Sequence, residues 1–272
     1  MGKDINDMSI EEQVNEIVRD SSNIFYLIAP SKELQLAIVR KDGSMLQDLE
    51  YCCLPDRDVQ EAAVRQDGFS IKFISEPDED LQMMAIEQNP YAIRVIDRPL
   101  KSVQARAVEI DPYVIGAMNR KNCRIPICIQ LLAVRKAPDA IKYIPDACET
   151  VRVIAVIHNP DAIQHIRNPG IRTQYTAVSL NGYAIRHIVN PDKDVQLKAV
   201  HNTGLAIKYI SSPDKDVQLA AVRENGTAIE YIDDPSEEIQ LAAIAQNKDA
   251  INYIKNPCPS AIAAAKNRTK TT

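Results

Sequence analysis

Apolar and polar positions recur along most of the chain with a period of 22 residues. Three consecutive segments show the pattern best: PDKDVQLKAVHNTGLAIKYISS, PDKDVQLAAVRENGTAIEYIDD and PSEEIQLAAIAQNKDAINYIKN, which begin at Pro191, Pro213 and Pro235. We take the first apolar residue of the VQL motif as the anchor of each repeat. The anchors are Leu34, Val59, Leu81, Val103, Ile129, Val151, Thr173, Val195, Val217, Ile239 and Ala261. Self-similarity at this period indicates a repeat protein.

Each repeat predicts two short helices. The anchor and the residues two and five positions later are mostly apolar, which places them on one face of a helix. A Pro four residues before most anchors predicts the helix start, because Pro has no N–H to satisfy. Asn-Gly or Asn-Pro then ends the first helix, and we expect Asn-Gly to supply a left-handed residue there. The second segment, such as AIKYI, has room for one or two helical turns.

A column of Ala residues predicts how the repeats pack. Ala stands four positions after the anchor in ten of eleven repeats, and Ile38 is the exception. A column this strict predicts a close approach between helices, where a larger side chain would overpack. Neither helix can bury its apolar stripe alone, so each repeat must pack on its neighbours. The sequence therefore predicts an all-α fold, an α-solenoid of about 11–12 two-helix repeats with a short, 3₁₀-like second helix.

The spacing also predicts the domain organisation. Residues 1–29 are expected to form a degenerate N-terminal capping repeat, and 30–265 a continuous helical-repeat solenoid. Two steps between anchors exceed 22 residues, at 25 and 26, and place insertions near 45–53 and 118–126. We expect these insertions to bulge as longer loops or to shift the stack locally. Residues 266–272 form a polar, basic tail, expected to fray.

The repeat resembles two groups of short helical repeats. One is the leucine-rich-repeat variant family, whose unit pairs an α-helix with a shorter 3₁₀-type helix. The other is an uncharacterised repeat family with the signature P-x-x-x-V-Q-L-x-A-V-x-x-N-G-x-A-I, and HEAT-like proteins are more distant relatives by architecture. The resemblance extends from about Pro30 to Lys266. It implies a right-handed superhelix used for binding, and it implies no catalytic residue.

Composition narrows the class of protein. The net charge of −5 argues against a broad nucleic-acid-binding surface but leaves room for a local basic stripe. No stretch approaches the length of a membrane span, and the first residues lack an apolar signal core, so we expect a cytoplasmic protein. The six cysteines form no C-x-x-C pair. We therefore expect reduced thiols, no metal and no cofactor.

Two polar columns have both a structural and a functional interpretation. Gln follows the anchor in nine of eleven repeats. Its side chain is expected either to hydrogen-bond the loop backbone of an adjacent repeat or to face a ligand. Because the Gln recurs in nearly every repeat, the structural hydrogen bond is favoured. A ring column lies in the second helix and consists of Tyr26, Tyr51, Phe73, Tyr143, His165, His187, Tyr209, Tyr231 and Tyr253. These rings suit packing between repeats or the stacking of bases, and the flanking Ile residues favour packing.

Two columns of basic residues are the candidate partner-binding positions. One precedes the rings, and the other lies six positions after the anchor. Together they predict a broken positive stripe, although an ordinary solvated face gives the same pattern. The candidate residues are Arg65, Lys72, Arg94, Arg135, Lys142, Arg186, Lys208 and Arg223.

The sequence predicts a non-catalytic scaffold that binds another protein along its superhelical surface. This expectation rests on analogy with solenoids, which present extended surfaces. The alternative is a nucleic-acid-binding repeat protein that uses the basic stripe with its interleaved rings. An enzyme is not expected, because the chain has no nucleophile elbow, phosphate loop or H-E-x-x-H motif. Neither the identity of the partner nor the oligomeric state follows from the sequence.

Overall fold

A computed structural model describes residues 4–118 and 125–267, and within these ranges the chain is helical with no β-strand. The α-helices are α1 (Ile10–Arg19), α2 (Lys32–Lys41), α3 (Leu46–Cys52), α4 (Arg57–Gln66), α5 (Glu79–Gln88), α6 (Lys101–Ile110), α7 (Ile115–Met118), α8 (Ile127–Lys136), α9 (Glu149–His158), α10 (Ile171–Leu180), α11 (Lys193–Asn202), α12 (Lys215–Glu224), α13 (Glu237–Gln246) and α14 (Pro259–Asn267).

Short 3₁₀-helices alternate with the α-helices. They are η1 (Ile5–Asp7), η2 (Ser21–Tyr26), η3 (Gly43–Met45), η4 (Gly68–Phe73), η5 (Pro90–Val95), η6 (Pro112–Val114), η7 (Pro138–Tyr143), η8 (Pro160–His165), η9 (Gly182–His187), η10 (Gly204–Tyr209), η11 (Gly226–Tyr231) and η12 (Lys248–Tyr253). The sequence-based expectation of a 3₁₀-like second helix is confirmed.

The chain divides into two compact units, residues 1–143 and 144–272. Within each unit, successive long α-helices pack side by side and form what we call the long-helix row. Successive short helices pack on one another in the same way and form the short-helix row, as from η8 to η12. Stacked helix pairs of this kind are the architecture of an α-solenoid, so the predicted all-α fold class is confirmed.

The core lies between the two rows. The anchors Val59, Val103, Val151, Val195 and Val217 are fully buried, and the Ala and Ile of the short helices are buried beneath them. The Ala column of the long helices is fully buried from Ala63 to Ala243. The prediction that this column lies at a tight helix contact is therefore consistent with its burial.

The Gln column is structural, although its partner differs from the expected one. Each Gln amide donates to the backbone carbonyl five residues before it, which belongs to its own repeat; Gln218, for example, donates to Pro213 at 2.8 Å. The carbonyl oxygens of Gln82 and Gln240 also accept a backbone N–H from the next repeat, that of Leu100 and that of Cys258. The Pro residues thus precede the helix and its N-cap, as Pro213 precedes Asp214 and α12, and are not the first helical residues as expected.

An Asn or Asp follows most long helices and caps the following short helix; Ala137 after α8 and Thr203 after α11 are exceptions. The backbone of the capping residue is extended, with φ near −146° at Asn225, and its side chain accepts the N–H two residues later. No Gly between residues 4 and 118 or 125 and 267 has a positive φ, so the expectation of a left-handed Asn-Gly helix end is wrong. Gly is needed instead because the next repeat approaches closely: a Cβ on Gly226 would lie 2.5 Å from the carbonyl oxygen of Ala243.

Left-handed residues occur elsewhere, immediately before Pro. Five non-glycine residues have φ between 45° and 52°: Ala29, Asn168, Asn190, Ser212 and Asp234. Each precedes the Pro of the next repeat. They turn the chain from the short helix back to the long-helix row, at the turn-forming residues Asn, Asp and Ser in four of five cases.

The first insertion is a helix, not the expected longer loop. Its residues form α3, which buries Leu46 and Leu49 completely in the position of a longer second helix. The second insertion near 118–126 includes 119–124, which lie outside the described residues, and its first residue, Met118, is the last residue of α7. The predicted tail beyond residue 267 also lies outside the described residues.

Candidate functional site

The structure places the eight predicted basic residues on both rows. Lys72, Arg94, Lys142, Arg186 and Lys208 lie on short helices. Arg65, Arg135 and Arg223 lie in the last turns of long helices. They therefore occupy two separate surfaces.

On the short-helix row, the basic side chains reach back to the preceding repeat. The Arg94 guanidinium lies 5.2 Å from the ring centre of Phe69. Lys142 lies 5.4 Å from the ring of Tyr113, and Lys208 lies 5.4 Å from the ring of Tyr183. These distances are those of cation–π pairs. The basic column thus links neighbouring repeats, through a second column of rings that the sequence analysis missed.

The same rings also contact the ring column itself. Tyr113 and Tyr143 pack edge to face with centres 6.3 Å apart, and Tyr183 and Tyr209 do so at 6.1 Å. Lys72 lies 4.5 Å from the centre of its neighbour Phe73. The faces of these rings are therefore occupied by the chain's own cations.

Arg186 is held by a carboxylate where other repeats have a ring. Its Nη2 donates to Asp161 Oδ2 at 2.9 Å, and its Nε donates to His187 Nε2 at 2.8 Å. Burial, with the nearby positive charge of Arg186, lowers the pKa of His187 below its ordinary value. This histidine is therefore neutral at physiological pH, with Nε2 as an acceptor.

Lys208 has a second partner in the same repeat. Its ammonium hydrogen-bonds the Tyr209 hydroxyl, and this bond lowers the pKa of Tyr209 and raises the pKa of Lys208. Lys208 is thus engaged with the rings of Tyr183 and Tyr209, as Arg186 is with Asp161. The short-helix row is a network of satisfied contacts more than an open positive stripe.

The long-helix row carries grooves between neighbouring helices. One groove of about 530 Å³ is lined by Met83, Met84, Glu87 and Arg65 among others. A second, of about 630 Å³, includes Leu36, Arg40, Glu61 and Ala62. The predicted residue Arg65 lines both grooves, and its guanidinium lies 3.6 Å from the Glu61 carboxylate.

The residues that line these grooves change from repeat to repeat. They stand two, three and six positions after the anchor. From α9 to α13 these columns are mostly apolar; most of their residues are partly exposed, while Val153, Leu219 and Ala220 are buried. The columns consist of Val153, Ile154, Ile157, Tyr175, Thr176, Ser179, Leu197, Lys198, His201, Leu219, Ala220, Arg223, Leu241, Ala242 and Ala245. The sequence analysis took the apolar residues two positions after the anchor as one face of the helix and named only the basic residues six positions after it as binding candidates; the partial exposure of the apolar residues was missed.

The cysteines, the acidic and histidine residues, and the lengths of the helices are the features on which a metal site or a membrane span would depend. Five cysteines in the described residues are free thiols, and no three His, Cys, Asp or Glu side chains converge there as a metal ion requires. Burial raises the pKa of Cys52 and of Cys53, which keeps both as thiols. No helix between residues 4 and 118 or 125 and 267 has the length and apolar character needed to cross a bilayer.

The fold and these two surfaces define an all-α helical-repeat protein. One family model, described as a domain of unknown function (DUF4116), matches residues 56–101 and 192–236. Each match begins at the N-cap of a long helix and spans two repeats, α4 to η5 in the first case and α11 to η11 in the second. Searches of curated proteins and of solved structures found no match.

Proposed function

We propose that this protein is a non-catalytic scaffold that binds a protein partner along the long-helix row. The observation that carries the proposal is the contrast between the two rows. Lys142, Arg186 and Lys208 of the short-helix row are engaged with rings or carboxylates of the same chain. The long-helix row has open grooves lined by side chains that differ between repeats. Binding surfaces of solenoids vary in this way, while scaffold columns repeat.

The chemistry of the long-helix row fits a protein partner. In residues 144–272, Ile157 is 47% exposed and Tyr175 is 45% exposed, and Leu197 on α11 and Leu241 on α13 are partly exposed. Contiguous apolar residues rimmed by charge are typical of protein-binding surfaces. The likeness to HEAT-like solenoids supports the same function by analogy of fold.

The alternative, binding of nucleic acid, would use the short-helix row. It needs ring faces on which bases stack and cations that reach phosphates. Lys208 covers Tyr183 and Tyr209, and Asp161 neutralises Arg186. These contacts favour the protein partner over the nucleic acid.

Affinity capture from native lysate distinguishes the two functions. The protein is compared with a Leu197→Glu/Leu241→Glu variant of the long-helix row and an Arg186→Glu/Lys208→Glu variant of the short-helix row, with and without nuclease. We expect a protein partner that survives nuclease and is lost only with the first variant. Loss only with the second variant, or with nuclease, would replace the proposal by nucleic-acid binding. Circular dichroism of both variants checks that they are folded.

A further inference from the structure

The starts of neighbouring long helices are joined by ion pairs. In the repeat that begins at Pro191, Lys193 Nζ lies 2.9 Å from Asp214 Oδ2 of the next repeat and also contacts Asp216. In the repeat that begins at Pro30, Lys32 Nζ lies 2.9 Å from Asp56 and contacts Asp58. Both acid pairs have the sequence Asp-x-Asp. The chain itself therefore shows how such a pair binds a lysine.

Another Asp-x-Asp pair, Asp78 and Asp80, is contacted by Arg57 through Asp78, but one pair in the described residues has no such cation. Asp192 and Asp194 stand where Asp214 and Asp216 stand one repeat later, but the residue in the position of Lys193 is Ile171, which is 54% exposed. Among the described residues, neither carboxylate has an ion pair or a hydrogen bond; Asp192 does not cap its helix, whereas Asp214 accepts the Val217 N–H at 3.0 Å. The cation that joins the starts of two neighbouring long helices is therefore missing between α10 and α11.

A groove lies beside the unpaired aspartates. It has a volume of about 370 Å³ between α10 and α11, and Ile171, Tyr175, Asp192 and Asp194 are among its lining residues. Arg172 also lines it, and Lys198 lies 5.7 Å from the Tyr175 ring centre. Neither cation bridges the two aspartates, although both face the groove region. An apolar wall thus stands beside two unpaired negative charges.

We propose that this groove receives a lysine or arginine of the partner protein, with an adjacent apolar side chain packed on Ile171. The proposal deepens, and rests on, the protein-binding function of the long-helix row. Charge complementarity carries it, because the equivalent acid pairs at Asp56 and Asp214 each hold a lysine of this chain. The partner's cation takes the place that Lys193 has in the next step, and its aliphatic stem covers exposed apolar surface.

The probes are three fluorescein-labelled synthetic peptides, in which Leu alternates with Lys, with Gln or with Glu. Their binding to the full chain is measured by fluorescence anisotropy. Ile171→Lys supplies the missing internal cation, so we expect the dissociation constant of the Lys peptide to rise about tenfold. Asp192→Asn/Asp194→Asn should have the same effect. Asp214→Asn/Asp216→Asn changes the net charge equally at a pair already occupied by Lys193, so it should leave the dissociation constant unchanged.

Three outcomes would overturn the groove proposal. The first is an equal effect of the two double Asn variants, which would mean unspecific charge attraction. The second is equal binding of the Gln and Lys peptides. The third is no binding of the Lys peptide. Lysate capture separates this failure from failure of the proposed function. A partner retained by Ile171→Lys but lost with Leu197→Glu/Leu241→Glu would leave the scaffold function standing and refute the groove. The Ile171→Lys variant should fold normally, since Lys occupies the equivalent position in α2 and α11.

Discussion

At the scale of single residues, one side-chain amide joins several repeats to the next by accepting a part-buried Gly N–H. Gln246 Oε1 accepts the Gly226 N–H at 2.6 Å, and Gln246 Nε2 donates to the Glu224 carbonyl at 3.3 Å. Gln66, Gln88 and Asn202 accept the N–H of Gly43, Gly68 and Gly182 in the same way. The amide thus links the end of one long helix to the repeat before it.

The choice between Gly and Pro follows from this bond. Pro has no N–H to satisfy. Where Pro90, Pro112 and Pro160 replace the Gly, the facing positions hold Ile110, Lys136 and Leu180 in place of an amide. An amide thus accepts the Gly N–H at four of the five described repeats that have Gly at this position, and Gly204, which faces Glu224, is the exception.

Gln246→Leu should destabilise the fold by about 1 kcal/mol, because it leaves a part-buried N–H of Gly226 without its acceptor. Urea unfolding followed by circular dichroism gives the change. Leu180→Gln is the matched control: it introduces the amide opposite Pro160, which has no N–H to donate, and should alter the unfolding free energy little. Equal effects of the two substitutions would show that the amide does not act through this bond.

A second residue-scale prediction concerns pH. The Val217 N–H and the Lys193 ammonium lower the pKa of Asp214 in the folded protein. Its carboxylate therefore stabilises the fold above the ordinary pKa of aspartate, and that contribution is lost as the pH falls through the lowered value. Urea midpoints measured from about pH 7 to about pH 3 should depend less on pH in Asp214→Asn. Asp192→Asn, which removes no cap bond, should keep the wild-type slope; a flattened slope there would refute the assignment.

At the scale of elements, the long helices are stabilised by packing between repeats and not by helix propensity. Most of them contain ten residues, fewer than an isolated helix needs to be stable in water. Each buries its Ala column against the neighbouring repeat, where the Gly226 backbone approaches the Ala243 carbonyl. Helix formation and stacking are therefore coupled within each unit.

Ala221→Leu should destabilise the fold by about 1–3 kcal/mol, because the Ala221 side chain is fully buried and has no room for three more carbons. Thermal unfolding measures the loss. Ala245→Leu places the same side chain on an exposed face of α13 and serves as the control. If Ala221→Leu unfolds at the wild-type temperature, the Ala column does not lie at a tight contact.

The long helices and their buried columns could be predicted from the sequence, because the apolar spacing is visible within each repeat and the Ala column recurs at the same position in ten of eleven repeats. Two features could not be predicted in this way. The Gly of Asn-Gly is required by a carbonyl of another repeat, so its own segment suggests only a turn. The first insertion forms α3 because Leu46 and Leu49 find a buried site, which no local signal shows.

The candidate site was predicted only in part, for the same reason. The basic residues were found as columns, but their partners were not, because Phe69, Tyr113 and Asp161 contact them from the preceding repeat. The apolar side chains of the long-helix row look like core residues in the sequence. Their partial exposure depends on how far the neighbouring helix covers them.

At the scale of the whole molecule, the two units share one division of roles between their rows. In each unit, the short-helix row joins repeats through cation–ring pairs, at Lys142 in the first unit and at Lys208 in the second. The long-helix row of each unit has grooves between neighbouring helices. In a protein whose repeats contact only their neighbours, such a surface lengthens within each unit with every added repeat.

Hydroxyl-radical footprinting of the captured complex tests the central claim most directly. Tyr175 on the long-helix row is 45% exposed, and Tyr231 and Tyr253 on the short-helix row are 44% and 43% exposed, so the three rings are oxidised from comparable starting exposure. We predict that the partner protects Tyr175 from oxidation and leaves Tyr231 and Tyr253 unchanged. Protection of Tyr231 and Tyr253 with Tyr175 unchanged would place the partner on the short-helix row and contradict the account.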